Sequence, residues 1–311
     1  MSIIKLNNQT ILDALKKAKP GDTIVLEPKV YREKVIVNVD NITILGDKSG
    51  KSVIAFDDYA KKIHTDGQEY NTFRTYTVNV IANSVTLKNL TIVNDALFPQ
   101  TKGQAVALSV CGKDFLAKNL KLCSMQDTLF CGPLPDDLVV RYQGFLKDSE
   151  RYFEGQSTQI YLNCHILGSV DYVFGTARAF FKGCTFTNVN DGRDTAYVCA
   201  PAHSLKQDVG FTFINCSFDC ESDVTKNSTF LARPWRDFGK ATFINCRYSH
   251  HIKNTVFDKW NDTTRDKTAR FELYPKLKGF ETVSWHKPIT KARALEYKAE
   301  FTQALNKLKN K

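Results

Sequence analysis

The sequence predicts an all-β chain wound as a parallel β-helix, with a short helix at each end. Two observations carry that prediction. A six-residue phrase returns seven times through the middle of the chain, and the stretches between its copies are short β-rich runs broken by Gly, Asn and Asp. The 311 residues, 42% hydrophobic and 12% aromatic, suffice for a packed core, and all of 1–311 reads as one domain.

Residues 1–21 read as a short amphipathic helix. Thr10 and Asp13 form its capping box, Ile11, Leu12, Leu15 and Ala18 its apolar stripe, and Pro20-Gly21 its stop. From Thr23 to about Tyr248 the texture is that of strands. The phrase runs Val39-Asp-Asn-Ile-Thr-Ile44, Leu87-Lys-Asn-Leu-Thr-Ile92, Ala117-Lys-Asn-Leu-Lys-Leu122, Tyr161-Leu-Asn-Cys-His-Ile166, Phe181-Lys-Gly-Cys-Thr-Phe186, Phe213-Ile-Asn-Cys-Ser-Phe218 and Phe243-Ile-Asn-Cys-Arg-Tyr248. Its third positions lie 20 to 48 residues apart. A fixed phrase at irregular spacing suggests one three-stranded coil per copy, with surplus length looping outward. The Asn or Gly takes the bend between strands, and the residue after it stacks on its equivalents in neighbouring coils. A β-sandwich is the competing architecture, but it calls for alternating strands and hairpin turns instead of a repeated phrase. After Ser249 the phrase fades into an irregular segment. A last helix follows over 290–311, with Leu295, Phe301, Leu305 and Leu308 on one face, and the two helices cap or flank the open ends of the stack.

The net charge of +10 favours an anionic partner. Scattered lysines and the lack of any nucleic-acid motif argue against RNA or DNA, and no apolar run of 18 residues argues for a membrane. A monomer acting on an anionic polysaccharide is the expectation. The nine cysteines show no CxxC or Cys/His metal spacing, so no metal is expected. Cys164, Cys184, Cys216 and Cys246 share the fourth position of the phrase, which marks buried small hydrophobes instead of disulfides. Free thiols and a start without a leader pattern point to the cytoplasm, or to secretion if a leader precedes Met1.

Two carboxylates stand out. Asp171 lies in Gly168-Ser-Val-Asp-Tyr-Val-Phe-Gly175 and Asp127 in Gln126-Asp-Thr-Leu-Phe130, both among β-formers where an acid is costly unless used. Asp127 follows Asn119 by eight residues, and Asp171 follows Asn163 by eight. Coils stacked in register therefore place the two acids on adjacent strands, about 4.8 Å apart, and residues 131–157 loop out near them. Two acids so close do not both ionise freely, so one holds a proton. An isolated Asp more often serves a turn; two in matching register favour a catalytic pair. Gln126 and Gln104, the latter within the apolar strand Gly103-Gln-Ala-Val-Ala-Leu108, serve a structural ladder or donate N–H to an oxyanion. Arg233 in Leu231-Ala-Arg-Pro-Trp235 is either a structural ion pair or the partner of one Asp. Trp235 either packs or offers a face to a sugar.

Taken in order, these stretches and Val30-Tyr-Arg-Glu33 resemble the pectinesterase (pectin methylesterase) family across about 25 to 285. Lys29 stands where the family usually has Gly, and Tyr172 replaces the commoner Phe. The resemblance implies a right-handed parallel β-helix and a carboxylic ester hydrolase without cofactor. It implies Asp171 as nucleophile, Asp127 as general acid/base, Gln126 and Gln104 as oxyanion amides and Arg233 as partner of the nucleophile. It places Trp235, Phe174, Thr72 and Val170 at the substrate. The expected substrate is methyl-esterified homogalacturonan or its oligomers. A β-helical glycosidase or lyase and a non-catalytic carbohydrate binder are the rival functions.

Overall fold

The computed structural model describes residues 1–146 and 156–309. Its framework grows from one backbone preference. At the bend inside the phrase the chain passes through the left-handed region, which Asn and Gly tolerate best. There φ is +55° at Asn89, +54° at Asn119, +51° at Asn163, +64° at Gly183, +53° at Asn215 and +52° at Asn245. The residues before the bend join one sheet, those after it a second, and a third closes each coil. Among the described residues the three sheets have eleven, eight and seven strands, and neighbouring strands pair parallel. Parallel crossovers wind right-handed, so the fold is a right-handed parallel β-helix. The bends are themselves bonded: Asn119 N–H donates to the Leu162 carbonyl at 3.0 Å, and its side-chain amide to Asn89 at 3.0 Å.

Equivalent positions stack inside the coil. Tyr161, Phe181, Phe213 and Phe243 form a face-to-face column with ring centroids 4.6, 4.9 and 4.7 Å apart. Phe186, Phe218 and Tyr248 form another, at 5.0 and 5.4 Å. These spacings match the distance between paired strands, so the rings stack without distorting the backbone. Each contact adds about 0.5–1.5 kcal/mol beyond simple burial. Cys164, Cys184 and Cys216 are buried at the position after the bend, and Cys246 ends their row half-buried. All nine cysteines are free. Thiol titration of the denatured, unreduced protein is expected to find most of the nine, and a result of eight paired would overturn this.

Several sequence expectations need correcting. The first copy of the phrase stands at another bend. Thr43, Ile44 and Leu45 pair with Thr86, Leu87 and Lys88, which makes Gly46, not Asn41, the counterpart of Asn89. A Cβ on Gly46 would lie 2.2 Å from the Asn89 carbonyl oxygen. Asn41 instead shares a second left-handed bend with Ser84 and Asp114, where φ is +54°, +57° and +62°. Both bends place a left-handed residue before an apolar one, so the phrase fits either.

The 1–21 helix is also shorter than expected. Ile3–Lys5 is a strand paired with Thr23–Val25, and Asn7 and Asn8 turn the chain at positive φ. Only Ile11–Lys17 is helical. Thr10 Oγ1 accepts from Asp13 N–H at 3.0 Å, and the Ile11 N–H donates to the Glu33 carboxylate at 3.0 Å. Ile11, Ala14 and Leu15 cover the first coils, while Leu12 faces solvent.

At the other end the sheet continues past Tyr248. Arg270–Tyr274 pairs with Lys240–Ile244, and a short edge strand, Lys287–Pro288, finishes the eleven-stranded sheet. The sequence hid this coil because Pro275 stands where Asn would mark the bend. The last helix, Lys291–Lys309, flanks the sheet. Its Ala294, Tyr297, Phe301 and Ala304 pack on Ile160, Phe180, Ile214 and Ile244. Leu295 is 54% exposed, one position off the stripe that the backbone buries. No helix among the described residues is long and apolar enough to cross a membrane.

Candidate active site

Strand register brings the two acids together. Leu129, Phe130 and Cys131 pair with Val173, Phe174 and Gly175, and Gln126 bridges to Val170. Asp127, just ahead of the strand Leu129–Cys131, therefore lies beside Asp171 in the strand Val170–Gly175, and its N–H donates to the Val170 carbonyl at 3.1 Å. Both aspartates adopt left-handed backbone, at φ +62° and +50°. Asp is one of the few side chains that tolerate this, since its short polar arm bonds locally. Strain of this kind clusters at functional sites.

The pair opens into a cleft of about 410 Å³ lined by Thr72, Gln104, Gln126, Arg233 and Trp235 among others. Burial, and then the neighbouring Asp171 charge, push Asp127 well above the ordinary carboxyl range. The charges of Arg233 and Arg193 and a hydrogen bond from the Gln126 amide oppose this more weakly. Asp127 thus keeps its proton at pH values where a free carboxyl has lost it. Asp171 has the opposite surroundings. Arg233 grips it fork to fork, Nε to Oδ1 at 2.9 Å and Nη2 to Oδ2 at 2.6 Å. The guanidinium faces are covered by the Tyr197 ring at 3.7 Å and the Trp260 ring at 4.1 Å. An acid raised above the ordinary carboxyl range therefore stands beside one whose two oxygens are oriented by Arg233. Among the described residues no group of His, Cys, Asp and Glu is placed to hold a metal ion.

A profile of the pectinesterase family matches residues 5–133 and 141–299. The chain belongs to the pectinesterase family. A pectinesterase of Arabidopsis thaliana is 29% identical over 286 residues, covering 86% of this chain and 66% of that protein, so the chain spans just under two thirds of that relative. Pectinesterase A of Dickeya dadantii is 28% identical over 319 residues, covering 93% of this chain and 85% of its own. The fold is shared with pectin methylesterase PemA from Erwinia chrysanthemi, at a TM-score of 0.76 and 22% identity over 95% of this chain and 94% of that one. The carrot pectin methylesterase gives a TM-score of 0.77 at 21% identity, with 94% and 89% covered.

In this member of the pectinesterase family the structure gathers most of the residues singled out from sequence. Gln104 lies ahead of the strand Leu108–Val110 instead of inside it. Ala105 N–H donates to the Gln126 carbonyl at 3.1 Å, which seats the two glutamines on neighbouring coils. Phe174 forms the floor and meets Trp235 edge-on, with centroids 5.8 Å apart. Thr72 begins a short turn held by Asn71 Oδ1, which also accepts from the Tyr142 hydroxyl at 2.9 Å. Val170 is the exception. It is 4% exposed and absent from the cleft wall, and it contributes its carbonyl to Asp127 instead. The 131–157 segment does reach the site. Its helix Asp136–Arg141 puts Leu138 and Arg141 on the wall, and Asp137 pairs with Arg236 at 2.6 Å. Residues 147–155 of that segment lie outside the described residues.

Arg193, Tyr197 and Trp260 were not foreseen. Trp260 offered a faint signal, being one of three tryptophans and lying where the repeat fades. Arg193 and Tyr197 follow a turn, Asn190-Asp-Gly192, that carries no period to count from. Tyr172, where the family usually has Phe, settles its extra hydroxyl on Asn188 Oδ1 at 3.0 Å.

Proposed function

We propose that this protein hydrolyses the methyl ester of galacturonate units in pectin or its oligomers, releasing methanol. The observation that carries this is the buried Asp127 set beside Asp171, whose two carboxyl oxygens are both held by Arg233. In the proposed reaction an Asp171 oxygen attacks the ester carbonyl carbon, and the developing oxyanion is held by the amides of Gln126 and Gln104. The C–O bond to methoxide breaks as Asp127 gives up its proton, so methanol departs and an acyl-enzyme anhydride remains. Asp127, now a carboxylate, takes a proton from the water that attacks the anhydride. This frees galacturonic acid, which then loses its own proton to solvent, and returns both acids to their starting states. Trp235, half-buried over Phe174, offers the apolar face against which a sugar ring stacks.

The enzyme acts as a monomer in this scheme, and its charge of +10 draws in partly demethylated, anionic chains. That attraction weakens as salt screens it. Nine free thiols favour a reducing setting. The deciding experiment follows methanol and new reducing ends in parallel on highly methylated pectin and on its oligomers. Methanol without reducing ends is the expected result. Reducing ends without methanol would make the protein a glycosidase or lyase, and neither product would leave a carbohydrate binder.

A further inference from the structure

The Gln126 amide has one end already occupied. Its Oε1 accepts from Arg193 Nη1 at 3.0 Å. Arg193 is held in turn: its Nε donates to Asp191 Oδ2 at 2.9 Å, its Nη2 bonds the same carboxylate, and Nη2 also reaches Ser169 Oγ at 3.3 Å. Asp191 is anchored by the Ser169 hydroxyl, which lies 2.8 Å from the Met125 carbonyl, and by its own turn, where Arg193 N–H donates to Asp191 Oδ1 at 3.1 Å. The Asp191 side chain is 4% exposed. The chain of bonds runs from the backbone beside Gln126, through Ser169 and Asp191, and back to the Gln126 side chain.

A guanidinium has five donors and no acceptor. Facing one, a primary amide can present only its oxygen, and its NH₂, which diverges from the same planar carbon, must then point away from the guanidinium. For Gln126 that is toward Asp127 and the cleft. We propose that Arg193 is a positioning residue that fixes the polarity of the Gln126 amide, so that the substrate meets an N–H donor and never a carbonyl oxygen. An amide turned the other way would set its own lone pairs against the developing oxyanion. The inference rests on the proposed ester hydrolysis, and it adds a cause for the donor orientation that the reaction needs.

The test compares Arg193→Gln with Arg193→Lys. Gln can both donate and accept, so it releases the polarity constraint, whereas Lys remains a pure donor. Losing one oxyanion donor costs about 10²–10³ in kcat. Arg193→Gln is expected to lose at least about 10-fold in kcat within that ceiling, at nearly constant KM. Arg193→Lys is expected to recover most of the rate. In a Gln126→Ala background the effect of Arg193→Gln should nearly vanish, because the group it orients is gone. The Gln126 side-chain amide proton signals, identified by their loss in Gln126→Ala, should shift in Arg193→Gln and hold in Arg193→Lys. An equal kcat loss with and without Gln126, a rise in KM alone, or unmoved amide signals would each overturn the proposal. If the wild-type protein released no methanol, the proposed reaction would fall, while the amide signals would still decide whether Arg193 orients this group.

Discussion

Asp171→Asn is expected to stop turnover, lowering kcat by roughly 10⁴–10⁶-fold, the range seen when one member of a cooperating catalytic set is removed. An amide oxygen is too weak a nucleophile to form the anhydride. Methanol release measures the loss directly, and wild-type-like release would remove Asp171 from the proposed chemistry. The fold should survive. Asn accepts the left-handed backbone that Asp171 adopts at φ +50°, and the coil core beneath does not depend on the carboxylate. Arg233 loses its charged partner but keeps one acceptor and both covering rings. A modest drop in Tm is therefore the expected side effect, since a partly buried guanidinium left without its carboxylate is unfavourable.

Asp127→Asn is the second large effect, with an expected loss of about 10²–10⁴-fold in kcat, the usual contribution of a general acid. Its effect on stability should run the opposite way. Burial and then the Asp171 charge hold the Asp127 pKa well above its unfolded value. The stability contributed by such a group is fully present below the unfolded pKa and is lost as pH rises through the folded one. Asn never ionises and escapes that loss. The Tm of Asp127→Asn is expected to exceed that of the wild type, by a margin that widens toward alkaline pH. In the wild type the same titration removes the proton destined for methanol, so kcat falls on the alkaline side, above the ordinary carboxyl range. A variant whose Tm margin shrinks with rising pH would contradict the assignment of the proton to Asp127.

The bends were legible in the sequence because left-handed Asn is a local matter, decided by one residue and its own backbone. Counting from Asn119 and Asn163 then carried Asp127 and Asp171 into register without knowledge of anything distant. The same locality misplaced Val39–Ile44, since the left-handed bend at Asn41 looks, within six residues, like the one at Asn89. The arginine partner was legible through its motif, but the rings that cover it were not. Tyr197, on the strand Ala196–Pro201 of the seven-stranded sheet, and Trp260, in a segment outside the strands, meet Arg233 only because the fold brings distant parts of the chain together. The orientation of Gln126 was still further out of reach, because it depends on a partner 67 residues away in the chain. Leu295 shows the limit at the smallest scale: a stripe of large apolar residues suggests one helix face, and the surface it packs against selects the neighbouring one.

A stack of identical bends with paired strands is, in principle, a template for further growth. Each end offers a row of unsatisfied N–H and C=O groups to which another molecule's strand could add, as in a fibril. The edge strand Lys287–Pro288 works against this at one end. Pro288 has no N–H to donate, and Lys287 places an exposed charge beside it. At the opposite end the edge strand is only three residues long and terminates in the charged Lys5. The repetition that aligns two carboxylates for chemistry is thus blunted at both edges of the eleven-stranded sheet, which opposes the addition of another molecule's strand there.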